Sequence, residues 1–362
     1  VSDTLTISAT SGVEATSGVS SNSGQPGPRE RFAADELAIV LSHYDLGVIK
    51  SVKEFPRGSR RAPKLYIESD KGRWLVKRRA RGRENAQRVA LAHEVQLFLA
   101  GRKFPLPGLL RTRSDNQSML RLGSGVYEVF EYISGSGYSK SPTATADAGR
   151  VLALFHQLLE GFSTQLAPTL AGYHQAEAVT QTLEQLPKRD SRVSPELASQ
   201  VAQAYSRAAR EVESRGIGTW PRQVVHADWH PGNMLFLADK VLAVIDYDSV
   251  RIQPRVLDIA NGALQFSLLG GENDLNAWPA QLDHARFVRF LRAYDKTLVI
   301  SQAEIDVIPH LMIEALISET VFPVAATGLF GRFDGSAFLR MVMRKITWLE
   351  AHAARLSSAV AS

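Results

Sequence analysis

The segment from Val224 to Asp248 constrains this chain more than any other. Two apolar runs, Met234-Leu235-Phe236-Leu237 and Val241-Leu242-Ala243-Val244-Ile245, flank Ala238-Asp239-Lys240 and read as a tight hairpin. A hairpin there carries Asn233 at its entry and Asp246 at its exit, on the same side of the sheet. Asp228 lies five residues before Asn233, within Val225-His226-Ala227-Asp228-Trp229-His230-Pro231-Gly232-Asn233. An amide oxygen and a carboxylate suit a hard cation such as Mg²⁺, which binds through few protein ligands plus phosphate oxygens. Zinc held by His226 and His230 is the competing reading, but Pro231-Gly232 favours a loop over the helix such a pair needs. Taken singly, Asp228 reads as a turn residue and Asp246 as a strand-end cap.

The form His-x-Asp-x-His-x-Gly-Asn, followed by an apolar strand and then Asp, resembles the small-molecule branch of the protein-kinase fold. That branch is the aminoglycoside phosphotransferase and choline kinase superfamily, with its homoserine-kinase-like members. The resemblance implies a bilobal α+β fold: a small antiparallel-sheet N-lobe (residues 31–133) and a larger, mostly helical C-lobe (134–362). It also implies ATP as phosphoryl donor and Mg²⁺ as cofactor. By the same resemblance Asp228 orients the acceptor hydroxyl and takes its proton, while Asn233 and Asp246 hold the metal. His226 and His230 support the loop, and Asp258 braces the helix that follows. Asp248 reads as an acid near the metals or as an acceptor-site carboxylate.

The first lobe supplies the nucleotide half. A short helix from Asp35 precedes strand-like runs at 48–55, 64–69 and 73–78, the last two joined by Asp70-Lys71-Gly72, a strong hairpin signal. Trp74-Leu75-Val76-Lys77 resembles the kinase strand whose Lys meets the α- and β-phosphates, which makes Lys77 the expected ligand. Its carboxylate partner is expected on the helix at 84–100. There Glu94 is preferred over Glu84, which at the helix start opposes the dipole. The loop Pro56-Arg57-Gly58-Ser59-Arg60-Arg61-Ala62-Pro63 has one glycine and departs from Gly-x-Gly-x-x-Gly. Ser59, backbone N–H groups and Arg60 or Arg61 are therefore expected to meet the phosphates. The strand at 126–133 runs into Ser134-Gly135-Ser136-Gly137 and reads as a hinge. By resemblance, Glu131 and Ile133 offer their backbone to adenine.

Composition narrows the setting. The sequence has no Cys, which excludes disulfides and thiolate metal sites and points to an intracellular, cytoplasmic protein. No apolar run approaches the roughly 20 residues of a membrane span, and no secretory pattern opens the chain, so no membrane partner is expected. Residues 1–30, rich in Ser, Thr, Gly and Ala, read as a flexible tail. Between Lys50 and Arg88 fourteen Lys or Arg face four acids. Such a patch suits nucleotide phosphates or a solvated basic face; nucleic acid is not expected as a partner, and no signal sets an oligomeric state. The acceptor is expected among helices at 277–356, where Glu314 and Glu319 pair either with Arg332 or Arg344 or with a substrate amine. The implied function is phosphoryl transfer to the hydroxyl of a small molecule: an amino alcohol, a homoserine-like compound or an aminoglycoside. A kinase-like binding protein without turnover and a Ser/Thr protein kinase are the alternatives.

Overall fold

The computed structural model describes residues 29–166, 171–271 and 273–361. Residues 1–28, most of the expected tail, lie outside the described residues. Arg29 and Glu30 belong to the fold: Arg29 donates to the Ser59 and Gly58 carbonyls, and Glu30 pairs with Arg78.

The N-terminal part is an antiparallel sheet of order β1-β2-β3-β6-β4, with β5 paired on β6. Its strands are β1 (Ile49–Glu54), β2 (Lys64–Ser69), β3 (Arg73–Arg78), β4 (Leu109–Leu110), β5 (Leu120–Leu122) and β6 (Gly125–Glu131). Because side chains alternate along a strand, register assigns each face. Leu65 faces Val76 and Ile67 faces Trp74, and this side forms a small core with Val129, Tyr127 and residues of α1 (Ala34–Ser42). The opposite face carries Lys64 across from Lys77, Tyr66 across from Leu75, and Leu75 across from Phe130. One sheet therefore presents an apolar half and a charged half to the same side. The second helix, α2 (Ala86–Ala100), is capped by Asn85 and packs its Leu91, Val95 and Leu99 into the larger core.

Ser134-Gly135-Ser136-Gly137 is less free than a flexible hinge. Ser136 exchanges both backbone hydrogen bonds with Phe236, at 2.8 and 2.9 Å. Gly135 permits this approach, since a Cβ there would lie 2.9 Å from the Leu235 Cβ.

The rest is mainly helical: α3 (Pro142–Leu158), α4 (Glu177–Arg189), α5 (Pro195–Ser214), α6 (Val256–Ser267), α7 (His284–Asp295), α8 (Gln302–Thr327) and α9 (Gly335–Ala361). Two small ribbons position the loops between them: β7 (Gln223–Val225) with β10 (Arg251–Gln253), and β8 (Met234–Leu237) with β9 (Lys240–Val244). In contrast to the sequence reading, α8 is long and apolar enough to span a membrane, with a mean hydropathy of 1.4; 78% of that window is buried inside the molecule, as in a core helix. It packs against α5, α6 and α9.

Candidate active site

The loop after β7 is held from below. Asp258, in the first turn of α6, is buried and accepts the backbone N–H groups of His226 (2.6 Å) and Ala227 (2.7 Å), while His156 approaches the same carboxylate at 3.2 Å. Asp258 therefore braces this loop and not merely its own helix. The brace has a physical purpose. Ala227 adopts φ +60°, a left-handed conformation that costs a non-glycine residue on the order of 1 kcal/mol or more. Two charge-assisted hydrogen bonds offset that cost and fix the backbone that leads into Asp228.

Asn233 closes the loop over Asp228. Its Nδ2 donates to the Asp228 carbonyl (3.0 Å) and to Oδ2 (2.9 Å), so Oδ1 remains as its acceptor. His230 Nδ1 accepts the Gly232 N–H at 3.0 Å, which leaves the ring proton on Nε2, 3.6 Å from Asp228 Oδ1. Burial alone would raise the Asp228 carboxyl; His230, His226 and the Asn233 hydrogen bond outweigh it and hold Asp228 below the usual aspartate range. Asp246 sits across the β8–β9 ribbon at φ +66°, exposed, with no hydrogen bond to its side chain among the described residues. The Ile245 N–H donates to the Asn233 carbonyl at 2.9 Å and ties the two ends of the ribbon together.

His226 departs from expectation. Its ring nitrogens have no hydrogen-bond partner among the described residues, and burial lowers its pKa. The ring packs against Trp229 and Tyr247, so the side chain supports the loop by packing while its backbone makes the hydrogen bond.

On the sheet side, Lys77 is paired, but not with Glu94. The Glu94 carboxylate turns away and accepts the Thr164 hydroxyl at 2.7 Å. Lys77 Nζ instead lies 3.1 Å from Asp248 and 3.8 Å from Glu128. Glu128 is the cross-strand neighbour of Lys77, and its fully buried carboxylate also takes Arg79 (2.8 Å) and His93 of α2 (2.6 Å). Arg79 reaches on to Asp248 at 2.8 Å, so two cations and two carboxylates interlock across the cleft. Burial works against every charge in this group, yet the opposite charges outweigh it: Lys77 and Arg79 are raised, Glu128 and Asp248 lowered.

Three expected contacts are placed less directly. The Ser59 hydroxyl accepts the Arg61 N–H within its own loop. Glu131 spends its N–H on the Gly108 carbonyl at 2.7 Å, so that donor is not open to a base. The Ile133 N–H makes no backbone hydrogen bond among the described residues. Glu314 and Glu319 pair with neither Arg332 nor Arg344. Glu314 binds His174 at 2.9 Å, and Glu319 accepts the Gln265 amide at 2.5 Å.

Sequence reasoning missed Glu128, Arg79, His93 and Gln265. Glu128 did leave a signal, an acid inside the apolar run Val126-Tyr127-Glu128-Val129-Phe130. Only the register of β3 on β6 identifies its partner.

Residues 51–300 match the phosphotransferase enzyme family. The chain belongs to that family. It is 28% identical over 330 residues to a homoserine kinase of Bradyrhizobium diazoefficiens, covering 88% of this chain and 85% of that one. Among solved structures, a microcompartment-associated aminopropanol kinase aligns with a TM-score of 0.68 at 12% identity, over 90% of this chain and 99% of the other. The amicoumacin kinase hAmiN, solved with AMP-PNP, Ca²⁺ and Ami, aligns with a TM-score of 0.66 at 13% identity, over 88% of this chain and 94% of the other. These likenesses identify the fold as protein-kinase-like. Family and relatives together make the chain a small-molecule kinase that phosphorylates a hydroxyl.

Proposed function

We propose that this enzyme moves the γ-phosphoryl group of ATP to the hydroxyl of a small amino alcohol, with homoserine the leading acceptor. The observation that carries the reading is Asp228: a largely buried carboxylate, held ionised and fixed by Asn233, in the braced loop after β7. Asp228 orients the acceptor hydroxyl and accepts its proton as the new phosphorus–oxygen bond forms. Lys77 meets the nucleotide phosphates, and the Ile133 N–H with the Glu131 carbonyl are the backbone groups for adenine. The donor set of Asn233 Oδ1 and the Asp246 carboxylate fits Mg²⁺, which when bound offsets charge on the transferring group. The lobes divide near residue 133, with this cleft between them.

The amine in the acceptor is supported by Glu319. Asp258, Asn261 and Gln265 stand at i, i+3 and i+7, on one face of α6. Asp258 holds the loop that carries Asp228, and Gln265 holds Glu319. Glu319 has no cationic partner among the described residues. Burial, and then the charge of Asp228, push its carboxyl well above the usual range. A substrate ammonium is the counter-charge this position lacks. The homoserine kinase names of the sequence relatives support the same class.

A turnover screen with Mg²⁺-ATP over homoserine, aminopropanol, choline, an aminoglycoside and amine-free alcohols tests this. Homoserine or another small amino alcohol is expected to be phosphorylated, and Asp228→Asn to lower kcat at least ~100-fold. Glu319→Gln is expected to raise KM for the amine acceptor alone. Equal turnover of amine-free alcohols would sink the amine assignment, and ATP binding without Asp228-dependent transfer would sink the kinase reading.

A further inference from the structure

The loop between β1 and β2 carries one glycine, Gly58, where protein kinases carry Gly-x-Gly-x-x-Gly, and a cation stands behind it. Lys64, the first residue of β2, is directly across the ladder from Lys77. Like charges at opposed positions of an antiparallel pair destabilise a sheet unless something neutralises them. Lys77 has Asp248 and Glu128, and both carboxylates are shared with Arg79, so that group is balanced without Lys64. Lys64 itself makes no ion pair or side-chain hydrogen bond among the described residues, although it is partly buried. Its ammonium feels Lys77 on one side and Asp246, Asp248 and Glu128 on the other, groups drawn from both sides of the cleft.

The loop above is shaped around it. Gly58 has φ +81°, and a Cβ there would come 2.9 Å from Lys64 Nζ. Any other residue would strain the backbone at that φ and force the Lys64 ammonium to shift. The loop is pinned from outside by Arg29, which donates to the Gly58 and Ser59 carbonyls. The result is a cation close under a thin loop, on the same sheet face as Lys77 and with no ion pair among the described residues.

We propose that Lys64 is a second phosphate-binding lysine, which takes the terminal phosphates of the nucleotide in place of the missing glycine-rich cradle. This assignment rests on the reading of the cleft as a nucleotide site. The ligand class is a nucleoside polyphosphate: its anionic oxygens accept from Lys64 and Lys77 together, which turns a repulsive cross-strand pair into a clamp.

Calorimetric titration of the full chain with adenosine, ADP and AMP-PNP, each with Mg²⁺, tests it in Lys64→Met and Lys64→Arg. Lys64→Met is expected to weaken AMP-PNP binding roughly 10- to 100-fold, the size of a lost charge-assisted hydrogen bond, while adenosine affinity changes less than about twofold. Lys64→Arg recovers most of the loss. Without ligand the Met variant holds or raises Tm, since a like charge is gone, and its stabilisation by AMP-PNP shrinks. Unchanged AMP-PNP affinity in the Met variant, or an equal loss for adenosine, would overturn the assignment. A wild-type chain that binds AMP-PNP no better than adenosine would overturn the nucleotide reading itself, and the proposal with it.

Discussion

The two walls of the cleft are built by different means. The helical wall takes Asp228, Asn233 and Asp246 from a single stretch of nineteen residues, and sets them with backbone hydrogen bonds to Asp258 and across one short ribbon. The sheet wall takes Lys64, Lys77 and Glu128 from three strands, placed opposite one another by register and, for Lys77 and Glu128, tied by ion pairs with Arg79 and Asp248. Local geometry fixes the first; charge balance among distant residues fixes the second. Under the proposed function, reaction chemistry belongs to the rigidly braced loop, and phosphate binding to the wall whose Lys77 and Arg79 share two carboxylates. Lys77 takes its carboxylates from the loop after β9 and from β6, Asp248 at 3.1 Å and Glu128 at 3.8 Å, and none from α2.

Substitutions on each wall sharpen the contrast. The largest effect is expected for Asp258→Asn, which leaves one of two backbone N–H groups with a neutral acceptor and turns an amide donor toward the other. A loss of roughly 3–6 kcal/mol of unfolding free energy is expected from denaturant titration. Any folded fraction should show a depressed kcat and near-normal AMP-PNP affinity. Loss of nucleotide affinity in step with kcat would erase the division between the walls. Next in size is Glu128→Gln, which leaves Lys77 and Arg79 with one carboxylate between them. It should cost about 3–5 kcal/mol and raise KM for ATP more than it lowers kcat.

The pH dependence follows from Asp228. Because its carboxyl is held below the usual aspartate range, it stays ionised throughout the neutral range. The acid limb of kcat/KM that belongs to Asp228 is expected below about pH 4, the ordinary aspartate value. An acid limb at higher pH that persists in an Asp228-independent step would break this assignment.

The smallest effect separates the sequence reading from the structure. Glu94→Gln removes only the carboxylate that accepts the Thr164 hydroxyl, so it should cost under about 1.5 kcal/mol and leave KM for ATP within twofold. If Glu94→Gln matched Glu128→Gln, the sheet wall would depend on its helix after all.

Much was legible in the chain. The strands at 64–69 and 73–78, the turn between them and the 234–244 ribbon follow from alternation and turn chemistry, which act within a few residues. The helices expected at 277–356 include α8, whose start at Gln302 follows from its cap. In the structure Glu304 caps the helix with Ser301 and pairs with Arg255.

The sequence by itself determined the loop and ribbon that bring Asp228, Asn233 and Asp246 together, because their spacing is set by one turn and one hairpin. Only the tertiary structure decided which carboxylate serves Lys77, why Asp258 is buried, and where Lys64 points. Those answers depend on strand register and on burial, which make a charge seek partners far away in the chain. A sequence records the charges, but not which of them share a desolvated cleft.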